Sequence, residues 1–508
     1  MADDALRSLS AVLDTSEVKG ERAVTVFNPN LQPVTEAASV TVDYPREEIV
    51  SDGELILRDG EGVPVAAQIE DLGVVFDYDL PDDRFRQPYY VRRFRITFTA
   101  QEVPALGWKT YALARDAAEI STDLRVYRRG MENRYLKITL NNDGSVTVKD
   151  KKTRRAYTTG IFEDTGDIGN EYNYAQSKDG VTVLSTAFAP KIRLLSSSPM
   201  MARFSVKTAM RIPSGADLGT DDPQCAANPP LAKMRGIRTG ECVMEVENII
   251  TLRAGMRRVE FETVIENNAD NHRVRVLTVS GLDTELVEAD TPFDIVSRTI
   301  QPWEGWTNPS RPGKMQTFFR LSEKDAGLTV AGRGLCEYEV LRDERRTMAL
   351  TLHRGVHQLG DWGVFPTPDA QCRGTLCIEY ALLPFAGQRE KHENAAAAFT
   401  YAAGELTAVG TAPHAGSMKA DGALLGIKAP AGILFSALKQ HEDRSSVILR
   451  LYSIADEEKT VKLEPDGNFS AVYLTDMNEE RQKKIPLRLG RGSVKIGAHK
   501  IVTLELVK

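Results

Sequence analysis

The sequence predicts an all-β protein, and three observations predict it. Short runs that alternate apolar and polar residues recur along almost the whole chain, which is the period of a half-buried strand. Turn residues break these runs at about 8–12-residue intervals, the rhythm of sandwiches. Helical signals are confined to two stretches, the apolar spacing of residues 5–13 and the alanine-rich composition of 387–398.

In chain order, residues 5–13 set Leu6, Leu9, Val12 and Leu13 on one helical stripe. One amphipathic helix cannot bury its own face, so it packs on the first β domain or ends a helical element. Alternation begins at residues 23–27 and stops at Asn28-Pro29-Asn30. It resumes at 39–43, 54–57, 63–69, 93–98 and 104–111. A first β domain is placed at 20–122. Residues 133–140 and 145–149 flank Asn141-Asn-Asp-Gly144, a strong hairpin signal. Further strands are read at 181–187, 191–195, 202–211, 242–252, 258–266, 274–279, 317–321, 328–331, 338–341, 347–352 and 375–382. So many consecutive strands require a large sheet or two stacked ones, at 123–398. The polar, Pro- and Gly-containing stretch 214–240 reads as an insertion or mobile loop. Residues 387–398, rich in alanine, read as a helical linker. A small antiparallel sandwich closes the chain, at 399–508, with strands at 433–438, 446–452, 459–463, 470–474, 493–496 and 500–507.

Composition narrows the function classes. Of 508 residues, 42% are apolar and 27% charged, ordinary values for a globular protein. A net charge of −7 gives no hint of nucleic-acid binding, which needs a basic patch. No apolar run reaches the roughly 18 residues of a membrane span, and the acidic N-terminus lacks a signal core. The five cysteines fit no zinc motif and are read as reduced thiols in a cytoplasmic protein. Of the seven histidines only His353 and His357 stand four apart. They lie at a strand end, where that spacing does not share a face. No nucleophile elbow, phosphate loop or dinucleotide fingerprint occurs.

One stretch stands out, residues 161–174. It packs Glu163, Asp164, Asp167 and Glu171 with Tyr172 and Tyr174 around Gly166 and Gly169. Without strand or helix period it reads as a loop. A loop rich in carboxylate, amide and phenol groups suits a sugar; the alternative is a solvated acidic loop.

Several segments in order resemble the C-terminal half of glycoside hydrolase family 38, the retaining α-mannosidases. They are Val26-Phe-Asn-Pro29, Val103-Pro-Ala-Leu-Gly-Trp-Lys-Thr-Tyr111, Glu132-Asn-Arg-Tyr-Leu136 and Phe162-Glu-Asp-Thr-Gly-Asp-Ile-Gly-Asn-Glu-Tyr172. Gly360-Asp-Trp-Gly363, Thr367-Pro-Asp-Ala-Gln-Cys372 and Leu449-Arg-Leu-Tyr452 complete the series. The likeness is strongest to bacterial cytoplasmic members acting on α-mannosides, the mannosylglycerate type included. It implies a galactose-mutarotase-like supersandwich flanked by two smaller β-sandwiches, with residues 1–19 a remnant of a three-helix bundle. It also implies that the zinc site and both catalytic carboxyl groups lie on an N-terminal domain, in the same or a separate chain, outside these residues. Asp270-Asn-His-Arg-Val274 is the nearest approach to that domain's Asp-x-His motif and fails at its last position.

The expectation is therefore the β portion of an α-mannosidase, inactive alone, binding no cofactor itself and lending loops to the substrate cleft. The residues expected to meet an α-mannoside are Asp167, Asn170, Glu171 and Tyr172, with Asp361 and Trp362. Loop-turn chemistry is the other reading for Asp167 and Asn170, and core packing for Trp362. Trp303 and Trp306 are further candidate platforms. Two alternatives belong to other classes: a stand-alone carbohydrate-binding protein, and a mutarotase- or epimerase-like enzyme using His272, His353 and His357. No nucleic acid or membrane partner is expected; a homo-oligomer is left open.

Overall fold

A computed structural model describes residues 2–45, 54–217, 236–301, 305, 312–360, 365–464 and 469–507. They are nearly all β, as the alternation predicts. The chain forms two compact units, one of residues 1–122, 198–200 and 395–508, the other of 123–197 and 201–394.

In the first unit the helix Ala2–Ala11 lays Leu6 and Leu9 on Leu13, Phe27 and Trp108. It therefore takes the docked option left open by its sequence. It also ends earlier than its stripe, because Leu13–Asp14 pairs in parallel with Met418–Lys419. A nine-stranded sheet has Arg22–Asn28 between Gly107–Arg115 and Leu406–Thr411. Motif residues hold its corner: buried Asn28 donates from Nδ2 to the carbonyls of Gln32, Val103 and Pro104 at 2.8, 3.0 and 2.9 Å. At the edge of this sheet Ala67–Asp79 pairs with Gln87–Val103. That hairpin is far longer than the runs 63–69 and 93–98 predict. A register shift at Asp71/Val74 interrupts its alternation, and its outer part exposes Val74, Phe76, Tyr78 and Tyr90. A three-stranded and a five-stranded sheet close on a separate apolar core that includes Ile427, Leu449, Leu451, Val472 and Leu504.

The second unit is a pair of large antiparallel sheets. One runs in the order Gly313–Lys314, Glu337–Val340, Thr347–Arg354, His272–Val279, Ala156–Gly166, Val146–Asp150, Leu136–Leu140, Gly130–Glu132, Arg125–Tyr127. The other contains nine strands centred on Val259–Asn267 and Gly374–Phe385. Their inner faces share one apolar core: Ile138, Val148, Phe162, Val276 and Leu350 come from the first sheet, Phe204, Ile250, Phe261 and Tyr380 from the second. Each such side chain contributes roughly 1.5–3 kcal/mol by leaving water. The predicted hairpin turn forms at Asn141–Gly144: Asn141 N–H donates to the Ser145 carbonyl at 2.8 Å, and Gly144 takes φ +87°. The segment read as an insertion is tied at its base, where Gly215–Asp217 pairs with Ile237–Thr239. The predicted helical linker forms as a short 3-10 turn and the helix Lys391–Ala403.

Candidate functional site

The acid-rich stretch is half strand, which corrects its reading as a loop throughout. Residues up to Gly166 belong to Ala156–Gly166, and strand pairing sorts their side chains onto two faces. Phe162, Asp164, Val274, Val276 and His353 stand on one face; Glu163, Thr165, Arg273 and Arg354 stand on the other, because cross-strand partners share a side. Glu163, Asp164 and Asp167 are buried, and of the four acids only Glu171 is exposed. The alternation in this segment is masked by carboxylates whose partners lie far away in sequence.

On the core side, Asp164 is fully buried and lies 2.6 Å from His272 Nδ1. Arg238 NH1 approaches its other oxygen at 2.5 Å, close enough to pair as ions, although the contact lacks hydrogen-bond alignment. His272 Nε2 lies 2.9 Å from Asn267 Oδ1. Asn267 Nδ2 reaches His353 Nε2 at 3.2 Å and donates to the carbonyls of Gln371 and Cys372. Burial, with the His272 ring 5.1 Å away, pushes the His353 pKa down to about 3. His353 is thus neutral, and its Nε2 accepts from Asn267. A network this enclosed fastens the end of the sheet and has no face for a substrate.

On the opposite side, Arg275 donates to Glu163 at 2.7 Å and to Glu339 at 2.5 Å. Arg354 donates from Nε to Asp167 at 2.8 Å and from NH2 to the Asn170 carbonyl at 3.0 Å. The other Asp167 oxygen accepts from the N–H groups of Gly169 and Ala175, at 3.0 and 3.3 Å. Burial raises the Asp167 pKa, and Arg354 pulls against that rise. Asn170 Oδ1 accepts from the N–H groups of Tyr172 and Asn173 at 2.8 and 2.9 Å, the Asx pattern of a tight turn. Tyr174 donates its hydroxyl to Thr165 at 3.2 Å, and Arg273 stacks on its ring at 3.4 Å.

The expected sugar-binding residues therefore separate into two kinds. Asp167 and Asn170 direct their side chains inward and shape the loop. Glu171 and Tyr172 are presented to solvent, Tyr172 with 67% of its surface exposed. The Glu171 backbone N–H is fixed on the Gln358 carbonyl at 3.2 Å, which ties the displayed pair to the 355–360 segment. Asp361 and Trp362 lie outside the described residues, as do Trp303 and Trp306. Sequence reasoning passed over Arg273, Arg275, Arg354 and Asn267. Arg273 and Arg275 did carry a signal, since they alternate within the otherwise apolar run His-Arg-Val-Arg-Val-Leu-Thr-Val.

Among the described residues no group of three or more His, Cys, Asp or Glu side chains is placed to hold a metal ion.

Three family models match the chain. The first C-terminal domain of glycosyl hydrolases family 38 matches residues 12–115, the family's C-terminal domain matches 131–371, and its C-terminal β-sandwich domain matches 432–504. A putative mannosylglycerate hydrolase of Halalkalibacterium halodurans is 31% identical over 474 residues, covering 91% of this chain and 51% of that protein. An α-mannosidase crystal structure from Enterococcus faecalis V583 superposes with a TM-score of 0.89 at 29% identity, over 100% of this chain and 58% of that one. A family 38 glycosyl hydrolase structure from Enterococcus faecalis gives 0.86 at 28% identity, over 100% and 60%. The chain thus spans about half the length of the curated relative, a 51% share, and somewhat more of the two solved chains.

Proposed function

We propose, on the premise that the chain belongs to family 38 of the glycosyl hydrolases, that it is the C-terminal β portion of a retaining α-mannosidase. In this reading it supplies part of the wall of the substrate cleft, and the bond-breaking groups sit on an N-terminal catalytic domain together with the zinc. The observation that carries the reading is the fate of the carboxylates. A retaining glycosidase needs two carboxyl groups about 5–5.5 Å apart on either side of the scissile bond. Three of the four acids of the 161–174 region are instead engaged inside the fold: Glu163 by Arg275, Asp164 by Arg238 and His272, Asp167 by Arg354; the fourth, Glu171, stands alone at the surface, one carboxyl group where two are needed. The three engaged groups hold structure and are not free to attack or protonate.

The displayed residues receive binding roles. The Glu171 carboxylate accepts hydrogen bonds from mannose hydroxyls, and the Tyr172 ring packs on the apolar face of the sugar. Asp167 and Asn170 position that pair, and Asp361 and Trp362 are assigned to the same wall. The proposed domains are 1–19, 20–122, 123–398 and 399–508, the last lending Leu406–Thr411 to the sheet of 20–122, and the compartment is the cytoplasm. The relatives' printed names favour α-mannosides, mannosylglycerate among them.

The experiment is hydrolysis of an aryl α-mannoside by the 508-residue chain, alone and mixed with an N-terminal half designed from its relatives' sequences. The reading expects turnover only in the mixture. Mannose binding without turnover in that mixture favours a stand-alone carbohydrate-binding protein instead.

A further inference from the structure

Arg273 is the residue on this sheet face whose bonding is incomplete. It stands between Thr165 and Arg354 on the two neighbouring strands and is only 3% exposed. Its guanidinium lies over the Tyr174 ring, 3.4 Å from the centroid. Among the described residues it donates no hydrogen bond and pairs with no carboxylate, and its Nε is sealed from solvent. Arg275 bridges Glu163 and Glu339, and Arg354 holds Asp167; buried Glu337 accepts from the Thr351 hydroxyl at 2.9 Å and attracts the cation by its charge, but makes no ion pair with Arg273. Burial and the charge of Arg275 act against the Arg273 cation, more strongly than Tyr174, Glu339 and Glu337 act for it, yet an arginine keeps its proton in proteins.

Those carboxylates leave its donors unused, and a buried guanidinium with unused donors is costly to hold until an acceptor reaches it. Neutral hydroxyls would take the donors one at a time. The planar fork of a guanidinium matches an oxyanion through two parallel N–H bonds. Tyr174 covers one flat side, so a ligand meets the guanidinium along its edge.

We infer that Arg273, backed by Tyr174, is a binding residue for an oxyanion group of the ligand, a carboxylate or a phosphate. The inference deepens the mannosidase reading and rests on it only for the molecule that carries the group, an α-mannoside that is acidic in its aglycone or its sugar.

The test is thermal unfolding of the purified 508-residue chain at constant ionic strength, with D-glycerate, inorganic phosphate, glycerol or sodium chloride. Wild type, Arg273→Met and Arg273→Lys are compared. At about 10 mM, an anion bound with a millimolar constant raises the unfolding temperature of wild type by about 3 °C. Glycerol and chloride leave it unchanged. Arg273→Met loses the shift, Arg273→Lys keeps part of it, and Arg273→Met without ligand unfolds within about 1 °C of wild type or above it. Whichever of glycerate and phosphate acts identifies the group. The inference is overturned if neither anion shifts wild type beyond chloride, or if Arg273→Met responds equally. It is also overturned if Arg273→Met alone unfolds more than about 5 °C lower, since Arg273 is then a structural cation. If Arg273→Met does not fold, the wild-type shift and its partial retention in Arg273→Lys still decide. An anion shift without mannoside turnover in the reconstituted mixture would sink the proposed function and leave this inference standing; the reverse result would do the opposite.

Discussion

Replacing Arg354 by Met tests whether the acidic loop is held by its ion pair. Asp167 is fully buried, and the Arg354 side chain is 15% exposed. The substitution keeps most of the side chain's length and removes the donors to Asp167 and to the Asn170 carbonyl. The stranded carboxylate can escape its burial by taking a proton. At pH 7 that lies about 3 units above an ordinary aspartate pKa, which costs about 4 kcal/mol. This agrees with the roughly 3–5 kcal/mol seen when one partner of a buried pair is removed. Arg354→Met should therefore lose about 4 kcal/mol in urea unfolding of the second unit, followed by far-UV circular dichroism at pH 7. The double variant Arg354→Met/Asp167→Asn should recover to within about 2 kcal/mol of wild type, because Asn keeps an acceptor for Gly169 and Ala175 and carries no charge. The sign with pH is set by the raised pKa of the stranded Asp167: the penalty is present at neutral pH and shrinks as acid protonates the same carboxyl in the unfolded chain. A loss below about 1 kcal/mol, or a double variant no better than the single one, would refute the ion-pair account.

His353 should make the second unit acid-sensitive. Its folded pKa, about 3, lies below the unfolded value of 6.5, so the unfolded chain takes up the proton first; the contribution is whole above pH 6.5 and is lost as pH falls toward 3, by about 2 kcal/mol at pH 5. Asp290, pushed up to about 6 by burial, acts in the opposite sense below pH 6, so the measurement is the difference in urea stability between wild type and His353→Gln across pH 7 to 5. Gly169→Ala should open the loop, since its added Cβ would fall 2.0 Å from the Asn173 carbonyl oxygen; faster proteolytic cutting within 168–176 at unchanged far-UV signal checks it, and equal cutting rates speak against it. In the reconstituted enzyme, Glu171→Gln and Tyr172→Ala should each raise KM about tenfold, roughly 1.4 kcal/mol of uniform binding, with kcat nearly unchanged. A fall in kcat at constant KM would mean that the displayed pair acts in the transition state.

The fold was legible wherever one strand face is solvated. Runs such as 136–140 and 146–150 alternate cleanly because their outward side chains are polar, and Asn-Asp-Gly between them names its own turn. The hairpin Ala67–Asp79/Gln87–Val103 was read short because its register shift and exposed aromatics break the alternation on which strand reading depends. The strand Leu406–Thr411 lies between Arg22–Asn28 and Val34–Pro45, a placement fixed by pairing across nearly 400 residues that local pattern cannot carry. At the site, composition marks the 161–174 segment but not the direction of its side chains. Asp167 looked like a sugar ligand because Arg354, its partner, is 187 residues away. Asn28 and Asn133 entered the resemblance as motif letters, and each turns out to tie backbone carbonyls together inside its unit.

Mannoside cleavage is proposed to reside outside this chain. The most direct test is zinc-supplemented hydrolysis of an aryl α-mannoside by the purified 508-residue protein and by its mixture with an N-terminal partner half. No turnover above buffer is expected for the chain alone, and measurable turnover for the mixture. Release of mannose by the chain alone would contradict the proposal.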